Sequence, residues 1–235
     1  MNKSVMETVK LNLKTLVVPY VITAFCFLFM LFVELIKYSS FRAGINIGEQ
    51  TNVSIGNFLW LLIPLAAIFI AARNLSRIVN LGGKRKQYFI GSIISYAILA
   101  AAVSLTTTLL YYLYDSFILS SGMYKGLINL VEVWGWAAHR PVVTFFQQFA
   151  FLLLVAALFH TFTLIQDSWQ GWIADVIVAV LIIVFVSIAP LQAVLHSFFR
   201  LLLYHPSALF QITSCFVLAA VIYLLSYPIL SHKRI

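Results

Sequence analysis

The sequence predicts an all-α polytopic membrane protein with six transmembrane helices, on three observations. Of the 235 residues, 63% are hydrophobic and only 9% are charged, where a soluble domain carries about 25% charged residues. The mean hydropathy is +1.01. The apolar residues fall in runs of bilayer length with the charges gathered at their ends. The net charge of +8 therefore fits membrane topology and the membrane surface, not nucleic acid, and no nucleic-acid motif interrupts the runs. The chain, 1–235, reads as a single transmembrane domain.

Residues 1–16 place Val5, Met6, Val9, Leu13 and Leu16 at helical spacing, with Lys3, Glu7, Lys10 and Lys14 elsewhere on the wheel. That pattern predicts an interfacial helix with its lysines toward anionic headgroups. The run after it is long enough to span and has no small-residue cleavage site, so no cleavable signal peptide is expected. It is the first span, 17–36, with Pro19 near its start and Glu34 near its end. Residues 37–56 are polar and predict an external loop. The second span, 57–72, is short and contains Pro64.

The central stretch 73–91 carries Arg73, Arg77, Lys84, Arg85 and Lys86 with no acid among them. Loop lysines and arginines set orientation, so this loop should face the cytoplasm. Leu75, Ile78, Val79 and Leu81 give it an apolar side, predicting a short amphipathic helix. Gly82-Gly83 supplies a break or a tight turn. The third span, 88–114, is longer than a bilayer requires. Its middle is rich in small and hydroxylic residues, including Gly91, Ser92, Ser95, Ser104 and Thr106–Thr108, which predicts close packing inside the bundle.

Residues 115–141 form a second external segment, with Tyr124, Trp134 and Trp136 expected at the interface. The fourth span, 142–164, contains Gln147, Gln148 and His160. A short turn, 165–171, carries Asp167. The fifth span, 172–189, has Asp175 near its start and Pro190 after it. Residues 191–206 are apolar but interrupted by His196, Arg200 and His205, predicting an external re-entrant segment before the last span. The last span is 207–230, followed by Lys233 and Arg234. The N-terminal stretch, the central loop and the tail hold most of the 15 lysines and arginines. That bias predicts an even number of spans in the cell membrane, with both termini cytoplasmic.

No HExxH, GxSxG or P-loop pattern is present. Gly82-Gly83-Lys84 lacks the first glycine, the spacing and the following Ser or Thr of a phosphate loop. The five histidines are scattered over different segments, and Cys26 and Cys215 lie inside apolar runs. No catalytic, cofactor-binding or metal-binding residue is therefore expected in this chain, and an enzyme is disfavoured. The acids Glu34, Asp115, Asp167 and Asp175 sit near span ends, where solvated or helix-terminal roles are expected; Asp175, in the first turn of its helix, would favour the N-terminal dipole. Glu34, Asp115, Asp175 and the deeper His160 stand as pathway candidates, because ionisable groups at membrane depth are functional candidates by default. For His160 a neutral, hydrogen-bonded packing role is the expected state.

The layout resembles the permease subunit of ABC-2-type transporters, small six-span permeases of bacterial exporters. The resemblance covers nearly the whole chain. It rests on the amphipathic start (1–16), the basic loop between spans two and three, the short 165–171 turn and the broken apolar stretch 191–206. Its most specific piece is VNLGGKRKQYFIG at 79–91, similar to a family pattern of an apolar pair, a small residue, a basic residue and an aromatic. The resemblance implies that 73–87 is a coupling loop docking on a separate cytoplasmic ATPase through Arg77, Ile78, Asn80, Leu81, Gly82, Lys84, Arg85 and Lys86. Asp167 would lie in a smaller second contact, although the 165–171 turn lacks the basic residues of many relatives. It also implies a second permease copy or homologue, ATP and Mg in the partner and not in this chain, and a hydrophobic or amphipathic cargo such as a peptide or lipid. The alternative is a non-transporting membrane scaffold or immunity protein that binds a toxin or partner and needs no ATPase.

Overall fold

A computed structural model describes residues 3–43, 51–121, 126–166, 169–187 and 189–232. Helix α1 (Lys3–Thr15) leads into α2 (Val17–Arg42). Strand β1 (Thr51–Val53) precedes a helical segment that begins as a 3-10 turn at Ile55–Leu61 and becomes α3 (Leu62–Phe69). Pro64 sits three residues into α3, just after the 3-10 turn gives way to the α-helix. The segment passes through a wide π turn, Ile70–Asn74, into α4 (Leu75–Asn80). Next come α5 (Arg85–Leu109), a second π turn at Leu110–Asp115, and α6 (Ser116–Ser120). Strand β2 (Gly126–Ile128), the one-turn α7 (Leu130–Val133) and a 3-10 turn at Trp136–Ala138 lead to α8 (Pro141–Gln166). The chain ends in α9 (Trp169–Ser187), α10 (Ala189–Leu203) and α11 (Ala208–His232).

The fold is that of an all-α polytopic membrane protein. Among the described residues five helical segments are long and apolar enough to cross a membrane: Val17–Arg42, Ile55–Asn80, Arg85–Ser120, Pro141–Gln166 and Ala208–Ser231. They match five predicted spans, the first four extended at one or both ends and the last shifted by one residue. The sixth, 172–189, falls on the 19-residue α9; among the described residues its apolar stretch is Gly171–Leu181. The 191–206 stretch becomes α10, which packs on α9 and α11.

Contacts between the helices set their directions. The Gln147 amide donates to Gln211, joining the early turns of α8 and α11. At the other end of α11, the Arg85 guanidinium at the start of α5 donates to the carbonyls of Leu230, at 3.2 Å, and Ser231. Helices α8 and α11 therefore run the same way, and α5 runs against them. One end of the bundle gathers α1, the 75–86 turn and the last turn of α11. The other gathers the end of α2, both strands, α6, α7 and the starts of α8 and α11.

Three expectations are corrected here. The 37–56 loop is not polar coil throughout, because α2 continues to Arg42 and β1 pairs in parallel with β2, Asn52 opposite Leu127. The N-terminal helix does not simply lie in the interface. Its Val5, Thr8, Val9 and Asn12 are buried, and α1 packs along α5. A Cβ on Gly91 would come within 2.6 Å of Thr8 Cγ2, so glycine there lets the two helices touch. Met6, on the predicted apolar face, points outward at 41% exposure. Trp136 does not sit at the membrane interface either; it is fully buried against Trp60, Trp134 and Phe151, and its indole N–H donates to the Leu203 carbonyl at 3.2 Å. Tyr124 lies outside the described residues.

The expected packing of the third span holds for most of the residues named for it, Thr106 being exposed. Gly91, Ser92, Ser95, Ala100, Ser104, Thr107 and Thr108 are buried, while Leu105 and Leu109 face outward. Ser92, Ser95 and Thr107 return their hydroxyls to carbonyls one turn back, so a polar-looking helix presents little unpaired polarity to its neighbours.

Candidate functional site

The basic turn between α4 and α5 is built by local backbone chemistry. Helix α4 ends with Gly82 at φ 79°, the left-handed region that glycine occupies without a steric penalty. The Gly83 amide reaches back to the Ile78 carbonyl at 2.9 Å, and the Gly82 amide to Val79 at 2.9 Å. This pair is a Schellman termination. Gly83 is required for a second reason: an added Cβ would meet Ile78 Cγ2 at 2.6 Å and Ile78 O at 2.9 Å. Lys84 then opens α5, its backbone amide donating to Gln87 Oε1 at 3.0 Å.

This geometry divides the predicted coupling residues into two sets. Arg77, Asn80, Leu81, Gly82, Lys84 and Lys86 are exposed. Leu81, at the tip, is 74% exposed, the apolar crown of a cationic turn. Ile78 is buried in the bundle core with Leu75, so it anchors the turn and presents no outward contact. Arg85 is only half-exposed because its guanidinium is spent on the C-terminal carbonyls of α11. The predicted apolar side of the loop is thus partly covered by the chain itself. Asp167 lies outside the described residues.

The pathway candidates separate in space. His160 is fully buried between α5, α8 and α11 in a cage of Tyr88, Tyr96 and Tyr223, with ring centroids 5.5–6.0 Å away. Its Nδ1 lies 2.8 Å from the Tyr96 hydroxyl. The Tyr88 hydroxyl donates to the Ile70 carbonyl at 3.1 Å, at the start of the π turn. The histidine is therefore a packed, hydrogen-bonded centre for three helices, as expected for it. Asp175 lies in the second turn of α9, not the first, because α9 starts at Trp169. It accepts from Gln166 Nε2 at 2.7 Å, linking α9 to the end of α8.

Glu34 and Asp115 are not solvated span-end acids; they are 3% and 1% exposed. Asn52 of β1 donates to Glu34, and Lys37 Nζ donates to Asn52 Oδ1 at 3.2 Å. Asp115 Oδ2 accepts from Ser54 Oγ at 2.8 Å and Asn129 Nδ2 at 2.7 Å. The parallel strand pair brings these partners together, and no residue spacing in the sequence announces it. A crossing that starts near Tyr88 is complete after roughly 20 residues. Asp115 then lies about 10 Å beyond it, where the cluster ties the connections together at the end opposite the basic turn.

Sequence reasoning missed a second polar set inside the bundle. Gln148 donates to Thr108 Oγ1 at 2.9 Å and accepts from Thr107. Gln211 Nε2 donates to the carbonyls of Leu203 and His205, both at 2.8 Å. Gln148 ties α8 to α5, and Gln211 ties the start of α11 to the end of α10 and, through Gln147, to α8. Among the described residues no group of three or more His, Cys, Asp or Glu is placed to hold a metal ion.

Comparison with family models, with curated proteins and with solved structures returned no match to this chain.

Proposed function

We propose that the chain is the membrane permease subunit of an ATP-driven exporter, moved through its basic turn by a separate cytoplasmic ATPase that binds ATP and Mg. The observation that carries this reading is Leu81, 74% exposed at the tip of a turn ringed by Arg77, Lys84 and Lys86. An exposed apolar anchor with a charged rim suits a protein groove better than open water. Arg85 ties the root of the turn to α11 and Ile78 ties it to the core. A push on the tip therefore reaches several spans together, as transport coupling requires.

The same reading gives six crossings with both termini cytoplasmic. Helix α8 ends at the basic end and α11 starts at the opposite one, and this reading returns the chain across the bilayer between Gln166 and Ala208. Helix α9 supplies the crossing, and α10 the external re-entrant segment. The exposed apolar faces of α9 and α10, with Val176, Val180, Val194 and Phe198, meet lipid and a second permease copy. The cargo is a hydrophobic or amphipathic peptide or lipid-like molecule, moved by alternating access.

Purification from native membranes tests the reading. A nucleotide-hydrolysing subunit should copurify with the wild type and be lost on Leu81→Asp or on joint charge reversal of Lys84 and Lys86. Retention of that subunit and of ATP turnover in both variants would remove the coupling assignment. If no nucleotide-hydrolysing chain copurifies at all, the permease reading falls.

A further inference from the structure

A pocket of about 580 Å³ opens beside the π turn of the second span, lined by Leu11, Lys14, Thr15, Arg73, Asn74 and Arg77. Three of the six lining residues are cationic and none is acidic. Lys14, Arg73 and Arg77 are exposed, and none of their charged groups is bonded or ion-paired to another described residue. The one acid of α1, Glu7, stands two helical turns back from Lys14.

The floor is rigid. Asn74 is 2% exposed, and its amide donates to Asn12 Oδ1 at 3.0 Å and Thr15 Oγ1 at 2.7 Å. Asn12 donates in turn to Ser95 Oγ at 3.2 Å. These bonds lock α1, the second span and α5 together. Lys14 of α1 thereby lines the same pocket as Arg73 and Arg77, which lie four residues apart on the second span. Three like charges lining one cavity give it a positive potential that favours an anion.

We propose that this pocket binds a phosphate group, presented by the headgroup of an anionic phospholipid. The membrane position favours that source over a soluble phosphate. Arg73 stands where the apolar run of the second span ends, and Leu11 gives the pocket an apolar wall. A basic pocket between helix ends at the membrane surface has the makings of a lipid-headgroup site. The inference does not depend on the permease reading, and Arg77, which both would use, is left out of the test.

The full-length protein is purified in mild detergent and lipid retention is measured by native mass spectrometry after exposure to phosphatidylglycerol or phosphatidylcholine. Inorganic phosphate and glycerol phosphate are titrated separately by calorimetry. The wild type should retain phosphatidylglycerol over phosphatidylcholine. The joint change Lys14→Gln and Arg73→Gln should weaken retention roughly 25-fold, since each basic side chain near an anionic surface contributes about fivefold. Lys10→Gln, on the same helix but outside the pocket, should leave it unchanged, and the charge-keeping pair Lys14→Arg with Arg73→Lys should preserve it even if the neutral pair folds poorly. Equal retention by the wild type and the neutral pair overturns the proposal. So does equal loss on Lys10→Gln, which would make the effect one of general charge. Binding of the soluble phosphates as tight as that of the lipid overturns the membrane source.

Discussion

The two ends of the bundle use charge in opposite ways. At one end Arg77, Lys84 and Lys86 of the turn and Lys14 and Arg73 of the pocket beside α1 stand in the open, and the exposed Leu81 crowns them. At the other end Glu34 and Asp115 are buried and bonded by Asn52, Ser54 and Asn129. The acidic end is turned inward and its hydrogen bonds hold loops together, although Asp115 Oδ1 is buried without a partner among the described residues. The basic end is rigid in its backbone but unfinished in its side chains, the condition of a surface that meets another molecule.

Four substitutions sharpen or break that contrast. The largest effect is expected at the closed end, from Trp136→Ala. It empties a site packed by Trp60, Trp134 and Phe151 and leaves the Leu203 carbonyl without its indole donor. A loss of about 3–5 kcal/mol is expected, read as a large fall in the melting temperature of detergent-solubilised protein. Asp115→Ala should follow at about 2–3 kcal/mol, because the Ser54 hydroxyl and the Asn129 amide lose a charged acceptor in a buried place. If that variant melts with the wild type, the opposite end is not held by its carboxylate cluster.

At the basic end the turn itself should be sensitive while its tip is not. Gly83→Ala drives a Cβ into Ile78 and should cost about 1–3 kcal/mol, seen as faster proteolysis between α4 and α5. Leu81→Asp should change stability by no more than about 0.5 kcal/mol, as expected for an exposed position, although it is the change expected to abolish partner binding. A strongly destabilised Leu81→Asp would mean that the tip is part of the fold, and the comparison between the two ends would collapse.

The apolar runs made the spans legible, and Gly82-Gly83 with its flanking bases marked the turn, because both signals are local. The fate of single side chains was not local. Ile78 and Leu81 look alike in a sequence, yet one is buried and the other is the most outward apolar residue of the turn. Arg85 and Lys86 are adjacent bases, but only Arg85 meets the end of α11. The acids looked like span-end charges until the pairing of β1 with β2 enclosed their partners. Trp134 and Trp136 looked like an interfacial belt, but Trp60 and Phe151, distant in the chain, formed a cluster with them.

Composition and periodicity alone determined that this chain is helical, lives in a membrane and carries a concentrated basic connection, because the transfer of apolar runs into lipid depends on each segment by itself. Which polar residues became structural and which stayed available was decided only when the helices packed. That choice depends on neighbours far away in sequence: Thr8 against Gly91, Asn12 between Asn74 and Ser95, and Ser54 and Asn129 around Asp115. A buried polar group must find its partner in the fold, and no linear reading of the chain supplies that partner's position.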